Sequence, residues 1–547
     1  MRVFGGCMRR PQWLLPPRHC RGCTAAAGVD IATLLRVASS SSSSSSSSTP
    51  PAPASGAAMR MRGRVEAVRV RGRLAFIHLR QPPAHSIQVV ASGAALARQV
   101  RDLAPESIID VTGALIPAER PVTSVSCSNY EIHAERVEVV SAAATPLPFP
   151  IRDRHTRLDT RLNHRVVDLR TPLMASVLRV VSAACQGFRD QLLARDFVEV
   201  HTPKLLGTAS ESGSAVFMLD YFGQQGYLAQ SPQLYKQMVL MGDAMRVFEI
   251  GPVFRAEKSL THRHLTEFVG LDAEFVIERS YTEVLDVLES TVCGMIDYLQ
   301  GDHAALVRRA REALAEVDAA EVSAAAPARS AGKEEASIVC ELSAETLATL
   351  GVSTRDAAEE ALLATDRYRG RVGAGAVATR GQGPRRPKVL RLAFDDAARL
   401  LRDHGVVDQP TADFTLPQER RLGELVRQRY GVDVYVVDQF PAAARPFYTL
   451  PHPHRAELTC GFDMYLRGEE ICSGAQRIHD VALLRQNMER FQVDVAGVKD
   501  YVEAFRYGAW PHGGFGLGLE RIVLFLLGAK DIRQISLFPR DPKRLTP

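Results

Sequence analysis

The sequence predicts an α+β protein with two folded domains, and three observations carry that prediction. Residues 59 to 145 break into about five short runs of alternating character, the pattern of β-strands. From Val177 the period changes, and Val177, Val180, Val181, Ala184, Phe188 and Leu192 recur at helical spacing. The chain has 547 residues, more than one hydrophobic core accommodates.

Composition narrows the class. Hydrophobic residues make up 46% and charged residues 24%, which suits a globular protein with a buried core. No apolar run reaches the length of a bilayer span, so no membrane partner is expected. A net charge of +5 is compatible with a nucleic-acid partner without requiring one. The nine cysteines are odd in number and irregularly spaced, as in a reducing compartment. Cys20 and Cys23 have a C-x-x-C spacing but lack the nearby second pair that a structural zinc needs.

In chain order, residues 1–58 read as a disordered leader or targeting segment. Arg2, Arg9, Arg10, Arg18 and Arg21 all precede the first acidic residue, Asp30, and a serine run fills 39–48. Such a composition reads as a mitochondrial transit peptide, with a basic RNA-binding tail on a cytoplasmic protein as the alternative. Residues 59–145 supply the strands: Arg60 to Val70, Ala75 to Leu79, Ser86 to Val90, Ile108 to Gly113 and Glu131 to Val137. Five is the strand count of an OB-fold barrel. The alternating Arg60, Arg62 and Arg64 form either a solvated strand face or a surface for single-stranded nucleic acid, with Phe76 as a stacking platform. A proline-rich hinge covers 146–170, and residues 171–547 form the second domain. There the helix is followed by a strand, Val198 to Thr202, ending at Pro203. Residues 307–385 are rich in Ala, Arg and Glu and read as a partly helical surface insertion, and Gly423 to Val437 reads as helix then strand.

Chemistry concentrates in three segments of the second domain. Gly513 to Arg521 reads as a glycine-rich turn opening onto an apolar helix with Arg521 on its first turn. Glycines let backbone approach a polyphosphate and a fixed guanidinium meets the anion. A matching half-site begins at Phe254: Arg255 and Glu257 alternate on one strand, a loop follows, and Arg263, His264 and Phe268 lie on the next. Finally, Glu470 and Ser473 bring oxygen ligands for a divalent cation into this basic pocket, while Glu469 points to the opposite strand face.

The second and first of these segments resemble motifs 2 and 3 of the class II aminoacyl-tRNA synthetases. The helix and strand ending at Pro203 resemble motif 1, the dimer interface. Three further stretches, Tyr227 to Met238, Thr261 to Asp272 and Arg445 to Thr449, resemble the aspartyl-tRNA synthetases of the eukaryotic–archaeal type. The resemblance covers roughly 59–300 and 387–547.

It implies an antiparallel catalytic sheet flanked by helices, an anticodon-binding barrel and a homodimer joined through the 175–203 segment with Pro203. It also implies ATP and L-aspartate as substrates, Mg2+ as cofactor and tRNA-Asp as partner. Arg255, Arg521 and Glu470 would be the catalytic residues. Arg255 would bind the α-phosphate and the substrate carboxylate, Glu257 the adenine side, and Phe268 would stack on adenine. His264 and Arg521 would take the γ-phosphate, with Arg263 and Gly518 completing the ATP site. Glu470 and Ser473 would hold the metal.

Lys236 and Arg477 would read the aspartate side chain, and Ser210, Gln233 and Asp272 its ammonium group. Glu211 belongs to the mobile loop Ser210 to Ser214 that closes over aspartate, in which Ser212 stands where glycine is expected. Lys258 departs from the acidic or amide residue usual in the motif 2 loop. In the barrel, Phe76, Gln88 and Glu131 would read the anticodon. Two cations suit a carboxylate side chain better than an amide, which ranks an asparagine-charging enzyme, or a non-catalytic tRNA-binding relative, as the alternative.

Overall fold

The structure is a computed structural model, and it describes residues 30–40, 58–209, 215–325, 337–343, 346, 389–406, 410, 412–495 and 497–547. The chain divides into two compact units, residues 1–150 and 151–547.

The first unit is built on β1 (Ala58–Arg71), β2 (Leu74–Gln81), β3 (His85–Ser92), β4 (Ile108–Pro117) and β5 (Tyr130–Ser141). They close into a barrel in the order β1-β2-β3-β5-β4. Period-two alternation decides which residues fill it: Ile77, Leu79, Ile87, Val89, Ile109, Val111 and Ile132 are fully enclosed. The intervening residues of β2, β3 and β5 face outward. The five predicted strands are all present. The leader behaves differently from expectation over its described part, because Ile31–Ser40 is a helix. Ile31 and Leu34 sit in the barrel's core cluster, and the Ile31 N–H donates to Gln81 Oε1 at 2.8 Å.

The arginines on β1 are largely committed. Arg62 Nε and Nη2 each lie 2.7 Å from an oxygen of Asp110, and Arg60 pairs with the same carboxylate. Hydrogen bonding from Arg62 outweighs burial and holds Asp110 down at about 2. Arg60 and Arg62 are therefore ion-paired rather than free cations on that face.

The second unit contains β6 (Val198–Glu199), β7 (Leu205–Leu206), β8 (Met218–Tyr221), β9 (Gln224–Leu228), β10 (Arg246–Phe254), β11 (Glu267–Val276) and β12 (Leu390–Ala393). It continues with β13 (Val434–Asp438), β14 (Pro451–His452), β15 (Arg455–Thr459), β16 (Gly461–Leu466), β17 (Glu469–Gln476) and β18 (His512–Gly518). Eight of them form one sheet in the order β12-β13-β16-β17-β18-β11-β10-β6. Its centre is antiparallel, and only the outer pairs β12–β13 and β6–β10 are parallel. This is the expected α+β architecture.

The helix Pro172–Leu193 begins where the sequence provides for it: Thr171 accepts the Met174 N–H at 3.3 Å, and Pro172 occupies the first turn. Its apolar stripe joins the sheet and the helix Thr282–Gln300 in the main core. The helix Ala304–Ala325 joins them too, burying Val307, Ala310, Leu314 and Val317. The first part of the stretch read as a surface insertion is therefore a core helix. Its period was hidden because Ala310 serves as a core position in a run already full of alanine. Residues 326–336, 344–345 and 347–388 lie outside the described residues.

Two other local readings change. Gly513 to Gly518 is not a turn but most of β18, a central strand. Arg263 and His264 lie in the turn before β11 rather than on it, and Arg255 and Glu257 lie just past the end of β10.

Candidate active site

The site is assembled on the antiparallel centre of the sheet. On β11, Asp272 and Glu274 alternate and share one face. They stand opposite Gly516 and Gly514 of β18. That register explains the glycines. A Cβ at Gly514 would meet Ala273 O and Glu274 Oε2, each at 2.2 Å, and one at Gly516 would meet Asp272 Oδ1 at 2.9 Å. The strand is glycine-rich because two carboxylates lie across it.

Those carboxylates organise the predicted aspartate readers. Arg477 donates from Nε to Glu274 Oε1 at 2.8 Å, and from Nη2 to Gln233 Oε1 and Gly514 O at 3.1 Å. Among the described residues no group bonds its Nη1. Lys236, on the helix Gln233–Met241, is fully enclosed, with its Nζ 2.9 Å from Asp272 Oδ1 and 3.5 Å from Glu274 Oε2. Gln233 Nε2 also donates to Glu274 at 3.1 Å. Burial acts to raise the Glu274 carboxyl, but Arg477 and Lys236 together outweigh it and hold it below its ordinary value. Glu274 thus binds both cations and was not singled out in the sequence. Nothing in its local pattern distinguishes it from a core strand residue.

A second group lies along the end of β10 and the loop that follows. The Arg255 guanidinium lies 5.6 Å from the centre of the Phe268 ring, and its buried Nε has no hydrogen-bond partner. That donor, on a cation lining the cavity, is available to an anionic group. His264 Nδ1 is hydrogen-bonded to Thr261 Oγ1. Burial, aided by the charge of Arg521, lowers its pKa, so the imidazole is neutral at pH 7 and brings a hydrogen bond rather than charge. Arg521 lies on the first turn of the helix Leu519–Leu527 and donates to Glu470 O at 3.1 Å.

The acidic strand β17 carries Glu470 and Ser473, three residues apart, which a regular strand would put on opposite faces. An extra residue resets the alternation: Tyr465 pairs with Glu470 but Met464 pairs with Cys472, which leaves Ile471 as a bulge. Glu470, Ile471 and Ser473 consequently all line the same cavity. Burial and the neighbouring Asp463 push the Glu470 carboxyl up to about 7, against the pull of Arg521. Among the described residues no side chain hydrogen-bonds it. A buried carboxylate with so little compensation fits a hard divalent cation. Ser473 Oγ accepts from Arg445 Nη1 at 3.2 Å and keeps a lone pair. Arg445 is in turn fixed by Asp463 at 2.8 and 2.6 Å. Asp463, like Glu274, gave no sequence signal.

One cavity of about 290 Å³ joins these groups. It is lined by Gln233, Arg255, Glu257, Arg263, His264, Phe268, Asp272, Glu470, Ser473, Arg477, Gly518 and Arg521, all expected from the sequence. Lys236 stands behind Asp272 and does not line it. Ser210 and Glu211 lie outside the described residues, and Pro203 is exposed. The cavity has a cationic, amide-bearing end at Arg477 and Gln233 and a second end where arginines, an aromatic ring and the Glu470 carboxylate meet. It can hold a small zwitterion beside a nucleotide polyphosphate.

In the barrel, Gln88 of β3 pairs across to Glu131 of β5 and to His78 of β2. Gln88 Nε2 donates to Glu131 Oε1 at 2.6 Å. Phe76 lies two residues from His78 on the same outer face and is half-buried. The three predicted barrel residues therefore share one outward surface.

Comparison with known proteins agrees with this geometry. Residues 157–542 match the family of class II tRNA synthetases (D, K and N), and residues 59–140 match the OB-fold nucleic acid binding domain. The cytoplasmic aspartate–tRNA ligase of Caenorhabditis elegans is 37% identical over 511 residues, covering 89% of this chain and 84% of that protein. The cytoplasmic aspartate–tRNA ligase of Homo sapiens is 37% identical over 509 residues, covering 89% and 88%. The aspartyl-tRNA synthetase of Entamoeba histolytica superposes with a TM-score of 0.71 at 35% identity, covering 90% of this chain and 91% of that one. The asparaginyl-tRNA synthetase of Pyrococcus horikoshii reaches a TM-score of 0.70 at 26% identity, covering 90% and 97%. The aspartate relatives are named cytoplasmic, which overturns the mitochondrial reading of the arginine-rich leader. The split cavity, the two-unit architecture and the match along most of the chain agree on one placement: the chain belongs to the class II tRNA synthetases, within the aspartate–tRNA ligases.

Proposed function

We propose that this chain joins L-aspartate to tRNA-Asp in two steps at the one cavity. An aspartate carboxylate oxygen attacks the α-phosphorus of ATP and pyrophosphate leaves. A ribose hydroxyl of the tRNA 3′-terminal adenosine then attacks the activated carbonyl and AMP leaves. The observation that carries this reading is the division of the cavity, with Arg477 and Gln233 at one end and Arg255, Phe268 and Arg521 at the other.

The first step brings two anions together, so charge neutralisation and alignment are its main demands. Arg255 lies where it can touch both, its orphaned Nε ready for an anion and its guanidinium near the ring on which adenine would stack. Arg477, clamped by Glu274, presents Nη1 to the aspartate side chain without reorganising. Asp272 offers an acceptor for the ammonium group, and Lys236 holds that carboxylate in place from behind. Arg521 supplies a second cation at the phosphate end. Magnesium bound by Glu470 and Ser473 would neutralise phosphate oxygens as pyrophosphate departs.

On the barrel, Phe76 would stack an anticodon base while Gln88 and Glu131 bond base edges. The exposed Pro203 and the segment 175–203 would pair two copies.

The test of the site is Arg255→Ala. Aspartate-dependent ATP–pyrophosphate exchange should fall by at least about a hundredfold, the scale of losing one preorganised charge donor, while tRNA binding is retained. Unchanged exchange would remove Arg255 from the site.

A further inference from the structure

The loop that borders the phosphate end is tied down from outside the cavity. Arg420, on the helix Leu416–Tyr430, donates from Nε and Nη2 to Glu469 Oε1 at 3.2 and 2.9 Å. Its Nη2 also lies 3.3 Å from His262 Nε2 in the loop. The other oxygen of Glu469 lies 3.6 Å from Arg263 Nη1, and Glu419 Oε2 lies 3.4 Å from the same nitrogen. On the opposite side, Ile532 N donates to His262 O at 2.8 Å. The loop residues His262 and Arg263 are thus held by one helix, one strand and the C-terminal turn.

The charges explain why such a tie is needed. Glu419, Asp463, Glu469 and Glu470 all lie near the place where a triphosphate would add further negative charge. Arg445 is committed to Asp463. That leaves Arg263 facing two carboxylates through one nitrogen, with no partner for its Nε and Nη2 among the described residues. Arg420 neutralises Glu469 from the solvent side and so limits how strongly Glu469 draws Arg263 away from the cavity.

We propose that Arg420 is a positioning residue for triphosphate binding, acting through Glu469 and His262 to keep Arg263 turned toward the cavity. The proposal rests on the reading of this cavity as the ATP site. It adds a residue on a separate helix, outside the cavity wall, to the determinants of ATP affinity.

The experiment is steady-state ATP–pyrophosphate exchange with Arg420→Ala, Arg420→Lys and Arg263→Ala. Arg420 has a half-exposed side chain (49%), so its variants should fold, and thermal unfolding provides the check. Arg420→Ala should raise KM for ATP about tenfold and leave kcat and KM for aspartate within about twofold; Arg420→Lys should recover most of the loss. If Arg263→Ala raises KM for ATP and Arg420→Ala does not, the positioning role is wrong and the ATP site stands. If Arg263→Ala also leaves KM for ATP unchanged, the reading of the cavity fails and the proposal with it. Parallel rises in both KM values for Arg420→Ala would show general disruption and overturn the role.

Discussion

At the scale of single residues, the site depends on buried charges whose partners come from distant parts of the chain. Glu274 holds Arg477 from one side and Lys236 from the other, all three buried. Glu274→Gln should lower folding stability by about 3–5 kcal/mol, because the buried Arg477 then lacks its carboxylate partner. Urea unfolding measures that loss, and an unchanged midpoint would show that other groups compensate. Glu470 offers a pH test. Its carboxyl is raised to about 7, so it is mostly protonated at pH 6 and ionised at pH 8. Metal ligation requires the ionised form, so aspartate-dependent exchange should rise with pH through that range. Raising magnesium should shift this limb to lower pH, since the metal favours the carboxylate. A limb indifferent to magnesium would separate Glu470 from the metal. Of the cavity's lining residues, Arg255 and Arg521 were legible from type and spacing, and Phe268 and Arg477 through family resemblance. Glu274 and Asp463 were not. A carboxylate inside an apolar strand has meaning only once the arginine it faces is known, and those arginines lie 203 and 18 residues away.

At the scale of elements, hydrophobic periodicity carried much of the fold. The barrel strands followed from alternation, and the helix Pro172–Leu193 from its apolar stripe. The helix Leu416–Tyr430 begins seven residues before the predicted Gly423, at a capping box formed by Thr415 and Gln418. That Thr-x-x-Gln signal is present in the sequence. The bulge at Ile471 was not legible, because it depends on pairing with β16, and without it Glu470 and Ser473 would not share a face. Tight backbone approach was equally hidden. Helix Leu416–Tyr430 packs Gly423 directly onto the β16–β17 turn, and a Cβ there would meet Gly468 backbone atoms at 2.4 Å. Gly423→Ala should therefore destabilise the protein by roughly 1–3 kcal/mol, the usual cost of overpacking. It should also weaken exchange, since that turn leads directly into Glu469 and Glu470. Wild-type stability in this variant would mean that the helix can shift freely.

At the scale of the whole molecule, the two units divide the proposed work. Gln88 and Phe76 share the outer face of the barrel, whereas the cavity belongs entirely to the second unit. Phe76→Ala should lower kcat/KM for tRNA charging by about tenfold or more, from loss of a stacking contact of about 1–3 kcal/mol, and leave pyrophosphate exchange unaltered. A fall in both would argue against a barrel role confined to tRNA. The antiparallel sheet was legible only through family resemblance, since sheet order depends on contacts that no local pattern encodes. The central claim is the choice of amino acid. Exchange of pyrophosphate into ATP, driven separately by aspartate and by asparagine, tests it most directly. Aspartate should drive exchange, and asparagine should not do so above background. Exchange with asparagine alone would retain the fold and contradict the charge reading of Lys236 and Arg477, and exchange with neither would contradict catalysis at this cavity.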